Sequence, residues 1–393
     1  MSQYSFYGYK RSDGKYGARN LVAVIPSVIC TTDVAQAIVR QVQGTVGYFH
    51  HQGCCQLPLD LKRVTDTLIS LAKGPNVAGA LIVSLGCEGT DCARMVEEIA
   101  AAGKPVEIIY VQELGGTSRS IQAGIDLAQK MVLEASSQQR EETDISNLIM
   151  SIKCGASDTT SGMASNCVIG YVADKLVDLG ATVIFGETTE FLGGEQILAN
   201  RAVGGPEGPV GQKILEIVSR MENRAKATGE DMRGGQPTPG NIAGGLSSIE
   251  EKSLGAIVKS GHRPIRGVLE YPDYVTDQKG LWIKDTPGRE PEILTGMAAA
   301  GAQVMMFSTG RGAPQGFPSM PVIKICGNPN TYERMKHDMD LNAGRIIIGE
   351  KSIEEVGEEA FALLLKVLNG QLTKNEALNY FATMDIYCLG PVI

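Results

Sequence analysis

The sequence predicts an α/β protein with parallel sheets and helices on both faces, arranged as two α/β domains. Short apolar runs alternate with amphipathic segments, which is the pattern of parallel strands joined by helices. Hydrophobic residues make up 43% of the chain and charged residues 20%, so a large core can form. The 47 glycines gather between the apolar runs, as tight turns require. At 393 residues, the chain is long enough for two domains.

The first half of the chain contains repeated strand–loop–helix units. A polar stretch (SSQQREETDISN) then separates two predicted domains, residues 1–145 and residues 146–393. The predicted strands of the first half are 21–29, 45–49, 77–85 and 106–111, and its predicted helices are 31–42, 57–71, 91–102 and 117–140.

The second half resumes the alternation, with one long interruption. Residues 230–245 form a Gly/Pro-rich loop, and loops of this length are usually functional or mobile. The predicted strands here are 148–153, 182–185, 267–270, 302–307 and 321–326, and the predicted helices are 163–179, 210–228, 330–340, 353–368 and 374–381.

Charge and targeting signals exclude several classes of protein. The net charge is −8, which argues against binding nucleic acid or anionic membrane surfaces. No apolar run reaches the roughly 18 residues of a membrane span, and the N-terminus lacks the apolar stretch of a signal peptide. The chain has neither a phosphate-loop pattern nor a GxGxxG after its first strand, so nucleotide binding loses support. We therefore predict a cytoplasmic protein whose nine cysteines are reduced.

Four cysteines share one placement in the predicted fold. Each stands just past the C-terminal end of a predicted strand, where open α/β sheets bind ligands and where helix N-termini favour the thiolate. A thiolate binds metal; the alternative is a small buried residue beside a glycine turn, and no CxxC spacing is present. The four cysteines are Cys30, Cys54, Cys87 and Cys154. All except Cys30 stand next to a glycine, which favours a functional role over a structural one for those three.

Acidic side chains occupy the same strand ends. Glu88 directly follows one of these cysteines, and Glu187 and Glu190 stand in the loop GETTE after a predicted strand. A carboxylate in such a loop is suited to metal binding or proton abstraction. The alternative is helix capping, which also applies to Asp158 in the segment CGASDTTSG.

Three further residues are suited to substrate chemistry. His50 precedes the GCC segment at a strand end, where it suits a metal ligand or a general acid. Arg311 stands in the glycine-rich segment STGRG and can grip a carboxylate with two hydrogen bonds. Asn241 lies among the glycines of TPGNIAGG.

Six segments together resemble, in order, the large catalytic region of the altronate/galactarate dehydratase family. They are GYKRSDGKYGARN, PNVAGALIVSLGCE, CGASDTTSGMASN, GETTE, TPGNIAGGLSSIEEKSLG and FSTGRG. Members of this family dehydrate sugar acids, typically with Fe²⁺ or another divalent metal, and a close relative, the sulfolactate sulfo-lyase large subunit, eliminates sulfite. Single-chain members carry a small N-terminal domain before the GYKR-like motif, which here begins at residue 8. The resemblance therefore implies a separate small subunit.

The resemblance implies a metal-dependent hydro-lyase that removes water from a sugar acid by β-elimination, within a homo- or hetero-oligomer. Elimination of sulfite from sulfolactate is the first alternative, and a non-catalytic partner subunit is the second. Fe²⁺ is the expected metal, with Mn²⁺ or an iron–sulfur cluster as alternatives. The expected metal ligands are Cys54, Cys87, Cys154 and Glu88. The expected base is Glu187 or Glu190, the expected acid is His50, and the expected substrate-binding residues are Arg311, Asn241 and Asp158.

Overall fold

Two parallel sheets, of four and seven strands, organise the residues that a computed structural model describes, 4–275, 279–381 and 384–393. The strands are β1 (Ser5–Lys10), β2 (Tyr16–Gly17), β3 (Leu21–Pro26), β4 (Thr45–Gly47), β5 (Val77–Ser84), β6 (Val106–Tyr110), β7 (Glu141–Asp144), β8 (Ile149–Cys154), β9 (Thr182–Phe185), β10 (Ile265–Leu269), β11 (Gly280–Lys284), β12 (Val304–Thr309), β13 (Val322–Cys326) and β14 (Leu341–Asn342).

Helices connect and cover the strands. They are α1 (Thr32–Gln41), α2 (Pro58–Lys73), α3 (Cys92–Ala101), α4 (Thr117–Ser136), α5 (Asn166–Asp178), α6 (Glu195–Asn200), α7 (Pro209–Ala227), α8 (Pro239–Ala243), α9 (Ile249–Ile257), α10 (Glu290–Ala299), α11 (Pro329–Arg334), α12 (Ile353–Leu368) and α13 (Lys374–Ala377). None of the helices in the described ranges combines the length and the hydrophobicity that crossing a membrane requires.

The strand order confirms the predicted α/β class. The four-stranded sheet has the order β4-β3-β5-β6, and the seven-stranded sheet has the order β10-β11-β9-β8-β12-β13-β14. Every pairing within these two sheets is parallel. A small antiparallel sheet, β2-β1-β7, uses part of the polar stretch that sequence analysis placed at a domain boundary. The boundary itself stays a prediction.

One apolar core joins the two parallel sheets. It contains Ala23 and Ile25 from β3 together with Met305 and Phe307 from β12, all fully buried. Helix α2 packs against α10 across the same core. Because parallel strands expose their carboxyl ends at one edge, each sheet presents one row of strand-end loops.

Sequence analysis missed several elements and misjudged the length of others. The short elements β1, β2, β7, β14 and α6 have no counterpart among its predicted strands and helices. It also did not predict β11, because GLWIK is short and its alternation is weak, or the helix α10. The helix predicted at 330–340 ends at Arg334. The loop predicted at 230–245 contains α8, which begins with a capping box at Thr238 followed by a proline, a strong signal for a helix start.

Candidate active site at the carboxyl ends of the seven-stranded sheet

The ends of β8 and β9 bring together a buried group of ionisable side chains. Lys153 and Cys154 are the last residues of β8, and the turn after β9 carries Glu187 and Glu190. Lys259 comes from the 3₁₀ turn that follows α9. All five side chains are buried, and Glu190 is the most accessible at 5%. We call these five residues the buried ionic cluster.

Lys259 lies at the centre of the buried ionic cluster. Its Nζ lies 2.5 Å from Glu187 Oε2, 3.0 Å from Cys154 Sγ and 3.2 Å from Glu190 Oε2. Lys153 Nζ donates to the other Glu187 oxygen at 3.2 Å, and the Cys154 thiol donates to Glu190 Oε2 at 2.9 Å. Both carboxylates are thus paired with ammonium groups, as buried charges require.

Burial and the neighbouring charges determine the protonation states of Lys259, Glu190 and Cys154 in the cluster. Burial alone would lower the pKa of Lys259, but Cys154, Glu187 and Glu190 outweigh it and raise that pKa well above its ordinary value. Burial would raise the pKa of Glu190, but Lys259 and Lys252 outweigh it and lower the pKa to about 2. Burial and both carboxylates raise the pKa of the Cys154 thiol well above its ordinary value. At neutral pH, Glu190 is therefore ionised, Lys259 is an ammonium and Cys154 is a neutral thiol.

Glu187 has a strained backbone. Its φ of 71° and ψ of 58° lie in the left-handed region, which residues other than glycine seldom adopt. The loop after β11 holds this turn, because the Glu187 N–H donates to Thr286 Oγ1 and the Thr188 N–H to Thr286 O, both at 2.9 Å. Strain of this kind persists only where the surroundings enforce it, and it is concentrated at active sites. It supports a functional role for the turn.

Two cavities adjoin each other at this edge of the sheet. The first cavity, of about 300 Å³, is lined by Cys154 and by Lys252, whose Nζ lies 3.3 Å from Glu190 Oε1. The second cavity has a volume of about 370 Å³, and Asp158 and Thr159 line both. A ligand in the first cavity therefore meets the thiol and an ammonium group that touches the buried ionic cluster.

Asp158 lies at the junction of the two cavities and is 4% exposed. Its Oδ1 accepts hydrogen bonds from Thr160 Oγ1 at 2.5 Å and from the Ser161 N–H at 3.1 Å, and its Oδ2 accepts one from Asn328 Nδ2 at 3.0 Å. A Cβ on Gly310 would collide with the carboxylate, so only glycine lets that loop pass. Sequence analysis gave helix capping as the alternative role of Asp158, and the hydrogen bond from the Ser161 N–H is a contact of that kind. Substrate binding by Asp158 stays a prediction, supported by its position between the cavities.

The two other predicted substrate-binding residues differ in their surroundings. Arg311 lines the second cavity with an exposed side chain. Asn241 is buried; its Nδ2 donates to Ser157 O at 2.8 Å and its Oδ1 accepts from the Thr238 N–H at 3.0 Å. Because its amide is used within the protein, Asn241 fastens the glycine-rich loop to the end of β8, and the geometry lends no support to a contact with substrate.

Three side chains of the buried ionic cluster carry donor atoms of the kinds that bind metal ions. The ammonium group of Lys259, however, lies among these donor atoms, where a metal ion would have to bind. In the described ranges, Cys154, Glu187 and Glu190 form the one group of three or more metal-ligating side chains whose donor atoms all lie within 4.8 Å of one another. The ammonium of Lys259 lies within 3.2 Å of a donor atom of each. A metal ion and this ammonium repel each other at such distances. In this arrangement, the residues do not fit a metal ion here.

The other predicted metal ligands lie at the carboxyl ends of the four-stranded sheet. Cys54 and Cys87 are exposed free thiols, and Glu88 follows directly in the chain. The Gly89 N–H donates to Gly53 O at 2.9 Å, which joins the loops that carry them. We call Cys54, Cys87 and Glu88 the thiol edge. None of its donors belongs to the buried ionic cluster, so the structure places Cys154 in a different group from the other predicted ligands. Cys30 is likewise an exposed thiol at this end of the sheet.

His50 is buried and hydrogen-bonded at both ring nitrogens. Its Nε2 lies 2.8 Å from Pro26 O, and its Nδ1 accepts from the Gln52 N–H at 3.1 Å, so the neutral ring carries its proton on Nε2. Burial lowers its pKa to about 4. A general acid must hold a proton that it can release to substrate. The geometry therefore favours a structural role and lends the predicted acid no support.

Sequence analysis missed the lysines that pair with the carboxylates. Lys153 is the one charged residue of β8, and a charge inside a buried parallel strand requires a partner, so a signal was present. Lys252 and Lys259 come from the region of α9, about a hundred residues along the chain, and only the folded structure brings them to β8. Their local sequence is that of an ordinary amphipathic helix.

Two family models match most of the chain. The model described as D-galactarate/altronate dehydratase, C-terminal, matches residues 145–390, which include the buried ionic cluster and both cavities. The model described as D-galactarate dehydratase/altronate hydrolase, second domain, matches residues 8–136, which include the thiol edge.

Several curated enzymes are similar over nearly the whole chain. The (2R)-sulfolactate sulfo-lyase subunit beta of Chromohalobacter salexigens is 37% identical over 377 residues, 96% of this chain and 95% of that protein. The altronate dehydratase of Bacillus subtilis is 32% identical, covering 98% of this chain and 78% of that protein. The galactarate dehydratase (L-threo-forming) of Escherichia coli is 33% identical, covering 94% and 74% respectively.

Proposed function

The chain belongs to the D-galactarate/altronate dehydratase family of carbon–oxygen lyases, and on that premise we propose that it removes water from a sugar acid by β-elimination. The predicted family and the predicted class of enzyme are thereby confirmed. The observation that carries the proposal is the buried ionic cluster beside the first cavity. Elimination requires a base for the weakly acidic proton next to the substrate carboxylate, and cations for the charge that develops on proton removal.

We assign the base to Glu190 rather than to Glu187. Both oxygens of Glu187 are held inside the protein, by Lys153, Lys259 and the Cys154 N–H. Glu190 instead points one oxygen towards Lys252, which lines the first cavity. In this proposal Glu187, held by its strained turn, positions the lysines of the cluster. Glu190 is then the carboxylate that lies nearer to the substrate.

Lys252 is the proposed ligand for the substrate carboxylate. It reaches both the first cavity and Glu190 Oε1, at 3.3 Å. When a substrate carboxylate shares its ammonium, the attraction that lowers the pKa of Glu190 weakens, and Glu190 becomes a stronger base. The Cys154 thiol, kept protonated by burial and the adjacent carboxylates, is the proposed proton donor to the departing hydroxide, because it also lines this cavity.

A second candidate is elimination of sulfite from sulfolactate. The observation that favours it is the 37% identity to a sulfo-lyase subunit across 95% of that protein. Both reactions begin with the same proton removal beside a carboxylate, so the cluster serves either. Since that relative is named as a subunit, we also propose that the chain works with a partner polypeptide. A chain without catalytic activity of its own is the remaining alternative.

A panel of substrates tests the function. We expect the protein, anaerobic and supplied with Fe²⁺, to convert a hexonic or hexaric acid to a product lighter by one water, as detected by mass spectrometry. Release of sulfite from sulfolactate instead would establish the second candidate. Turnover that appears only after a partner polypeptide is added would establish the partner. Inactivity in both reactions, with iron and with the partner present, would refute the proposal.

We propose the thiol edge as the site of the expected metal, an iron ion. Its two thiols are exposed and are soft ligands that suit iron. The Glu88 carboxylate already accepts hydrogen bonds from the Leu85 and Gly86 N–H groups, so the proposal rests on the two thiols. An ion held there would supply Lewis-acid chemistry to a group bound at the thiol edge itself. Anaerobically purified protein is expected to contain about one iron per chain, and Cys87→Ser to lose most of it. Cys154→Ser is the matched control and is expected to keep its iron. If Cys154→Ser loses the iron while Cys87→Ser keeps it, this assignment is wrong.

A further inference from the structure

Two adjacent cysteines form a dithiol at the carboxyl end of the four-stranded sheet. Cys54 and Cys55 follow β4, and both are exposed free thiols. Their sulfur atoms lie 3.7 Å apart, close enough for one thiol to donate a hydrogen bond to the other. The proposed function gives Cys54 a role as an iron ligand and gives Cys55 none. We call these two residues the vicinal pair.

A strained backbone conformation accompanies the sulfur contact. In an extended chain, neighbouring side chains point to opposite sides. Cys55 instead has a φ of 52°, in the left-handed region that residues other than glycine seldom adopt. Strain of this kind persists only where the surroundings enforce it, and it is concentrated at functional sites. The chain departs from the ordinary alternation at Cys55, and the two sulfur atoms meet.

Backbone contacts hold the loop of the vicinal pair on both sides. A Cβ on Gly53 would lie 2.5 Å from Ser27 O and 2.9 Å from Val28 Cα, so only glycine can pack against the end of β3 in this way. On the other side, the Ile393 N–H donates to Cys55 O at 2.8 Å. The main chain is therefore fixed, while both thiols remain open to solvent.

The neighbouring cysteines have other partners. Cys87 Sγ accepts a hydrogen bond from Gln112 Nε2 at 3.3 Å, and Cys388 Sγ accepts one from Gln56 Nε2 at 3.2 Å. The sulfur of Cys54, by contrast, touches the sulfur of the next residue. An oxidised sulfur in the vicinal pair therefore meets the other member of the pair first.

A disulfide between adjacent residues is strained by its position in the chain. Neighbouring α-carbons are about 3.8 Å apart, whereas disulfides usually join α-carbons that are roughly 4.4–6.8 Å apart. Strained and exposed disulfides are the labile ones, which thiols reduce again, and they serve regulation rather than structure. A disulfide in the vicinal pair is therefore suited to a reversible modification.

We propose that the vicinal pair is a redox modification site, which a peroxide oxidises to a disulfide. One thiolate attacks a peroxide oxygen, the O–O bond breaks, and a sulfenic acid and water form. The second thiol then attacks the oxidised sulfur, the S–S bond forms, the S–O bond breaks, and the departing hydroxide takes the thiol proton as a second water. The two sulfurs lose the two electrons that the peroxide gains. Two molecules of a small thiol reverse the step and become a disulfide themselves.

The oxidised pair no longer holds iron. A thiolate binds metal, and Cys54 is one of the two thiols of the thiol edge. A sulfur in a disulfide has lost its thiolate charge, so oxidation releases the ion and reduction restores the site. This consequence rests on the proposed function, whereas the disulfide itself does not.

Peptide masses test the disulfide directly. Residues 41–62 form one tryptic peptide, whose only cysteines are Cys54 and Cys55. In iron-free protein treated with hydrogen peroxide, this peptide is expected to become lighter by two hydrogen atoms, and dithiothreitol should restore its mass. A disulfide that joins it to the peptide of Cys87 or Cys388 would overturn the proposal. So would oxidation to sulfenic or sulfinic acid without a disulfide, or an unchanged peptide.

Cys55→Ser separates the vicinal pair from the iron site. This variant is expected to bind iron as the wild type does, and peroxide should leave a sulfenic acid on Cys54 that dimedone labels. Cys30→Ser is the matched control, because it removes another exposed thiol at the same end of the sheet. It should form the disulfide as readily as the wild type. Equal loss of the disulfide in both variants would refute the pairing.

Iron uptake provides the second readout. Oxidised wild-type protein, freed of peroxide, is expected to take up less than about a tenth of the iron that the reduced protein binds, because the thiolate charge is gone. Equal binding by the two forms would overturn the effect on iron. If the reduced protein binds no iron, or eliminates neither water nor sulfite, the proposed function fails, while the peptide masses still decide whether the vicinal pair forms a disulfide.

Discussion

Replacing Lys259 by methionine is expected to lower the free energy of unfolding by about 3–5 kcal/mol, the usual result of removing one partner from a buried ion pair. The ammonium is fully buried and contacts both carboxylates of the cluster. Methionine fills a similar volume, so the loss isolates the charge. Because Glu190 also loses its alignment, we expect kcat to fall by at least about 100-fold. Urea unfolding and steady-state kinetics measure the two effects.

Lys324→Met is the matched control for this experiment. Lys324 is also fully buried, in β13, but its Nζ has no hydrogen-bond partner in the described ranges. Burial lowers its pKa to about 8. Removing an unpaired buried amine relieves a desolvation cost, so the same substitution is expected to be neutral or stabilising there. If both variants lose similar stability, the loss comes from packing, and the pairing role of Lys259 is refuted.

The strand-end rule explains how much of the site could be predicted from the sequence. Cys154, Glu187 and Glu190 each follow a predicted parallel strand, and such ends meet at one edge of a sheet. The structure brings these three side chains together. Cys54 and Cys87 satisfy the same rule, but their strands belong to the other sheet. Strand patterns do not reveal which sheet a strand joins, so the sequence alone could not separate the two groups.

The remaining differences come from contacts between distant parts of the chain. Lys259 and Cys154 are 105 residues apart, and their contact depends on where α9 packs. The burial of His50 and its bond to Pro26 depend on how the loop after β4 folds back on β3. A histidine or a lysine in an amphipathic segment has the same pattern whether it meets solvent or a carboxylate.

Glu190→Gln is expected to lower kcat by about 10²–10⁴-fold, because an amide cannot accept the proton next to the substrate carboxylate. The amide keeps the shape of the side chain and can still accept a hydrogen bond from Lys259, so the protein should fold. Exchange of the substrate proton in D₂O separates base function from every later step. In Glu190→Gln, both exchange and elimination are expected to disappear.

The controls for Glu190→Gln distinguish a base from a residue that only holds the cluster. Glu195→Gln changes a carboxylate five residues later that bonds its own loop at Gly193 and lines neither cavity, so activity should stay within about threefold. Glu187→Gln removes a charge that Lys153 and Lys259 both contact, so it should lose stability as well as activity. A Glu190→Gln protein that still exchanges the proton but does not eliminate would show that the base is another residue. Loss of exchange at full stability leaves Glu190 as the group that takes the proton, since the fold and the cation pairs would then be intact.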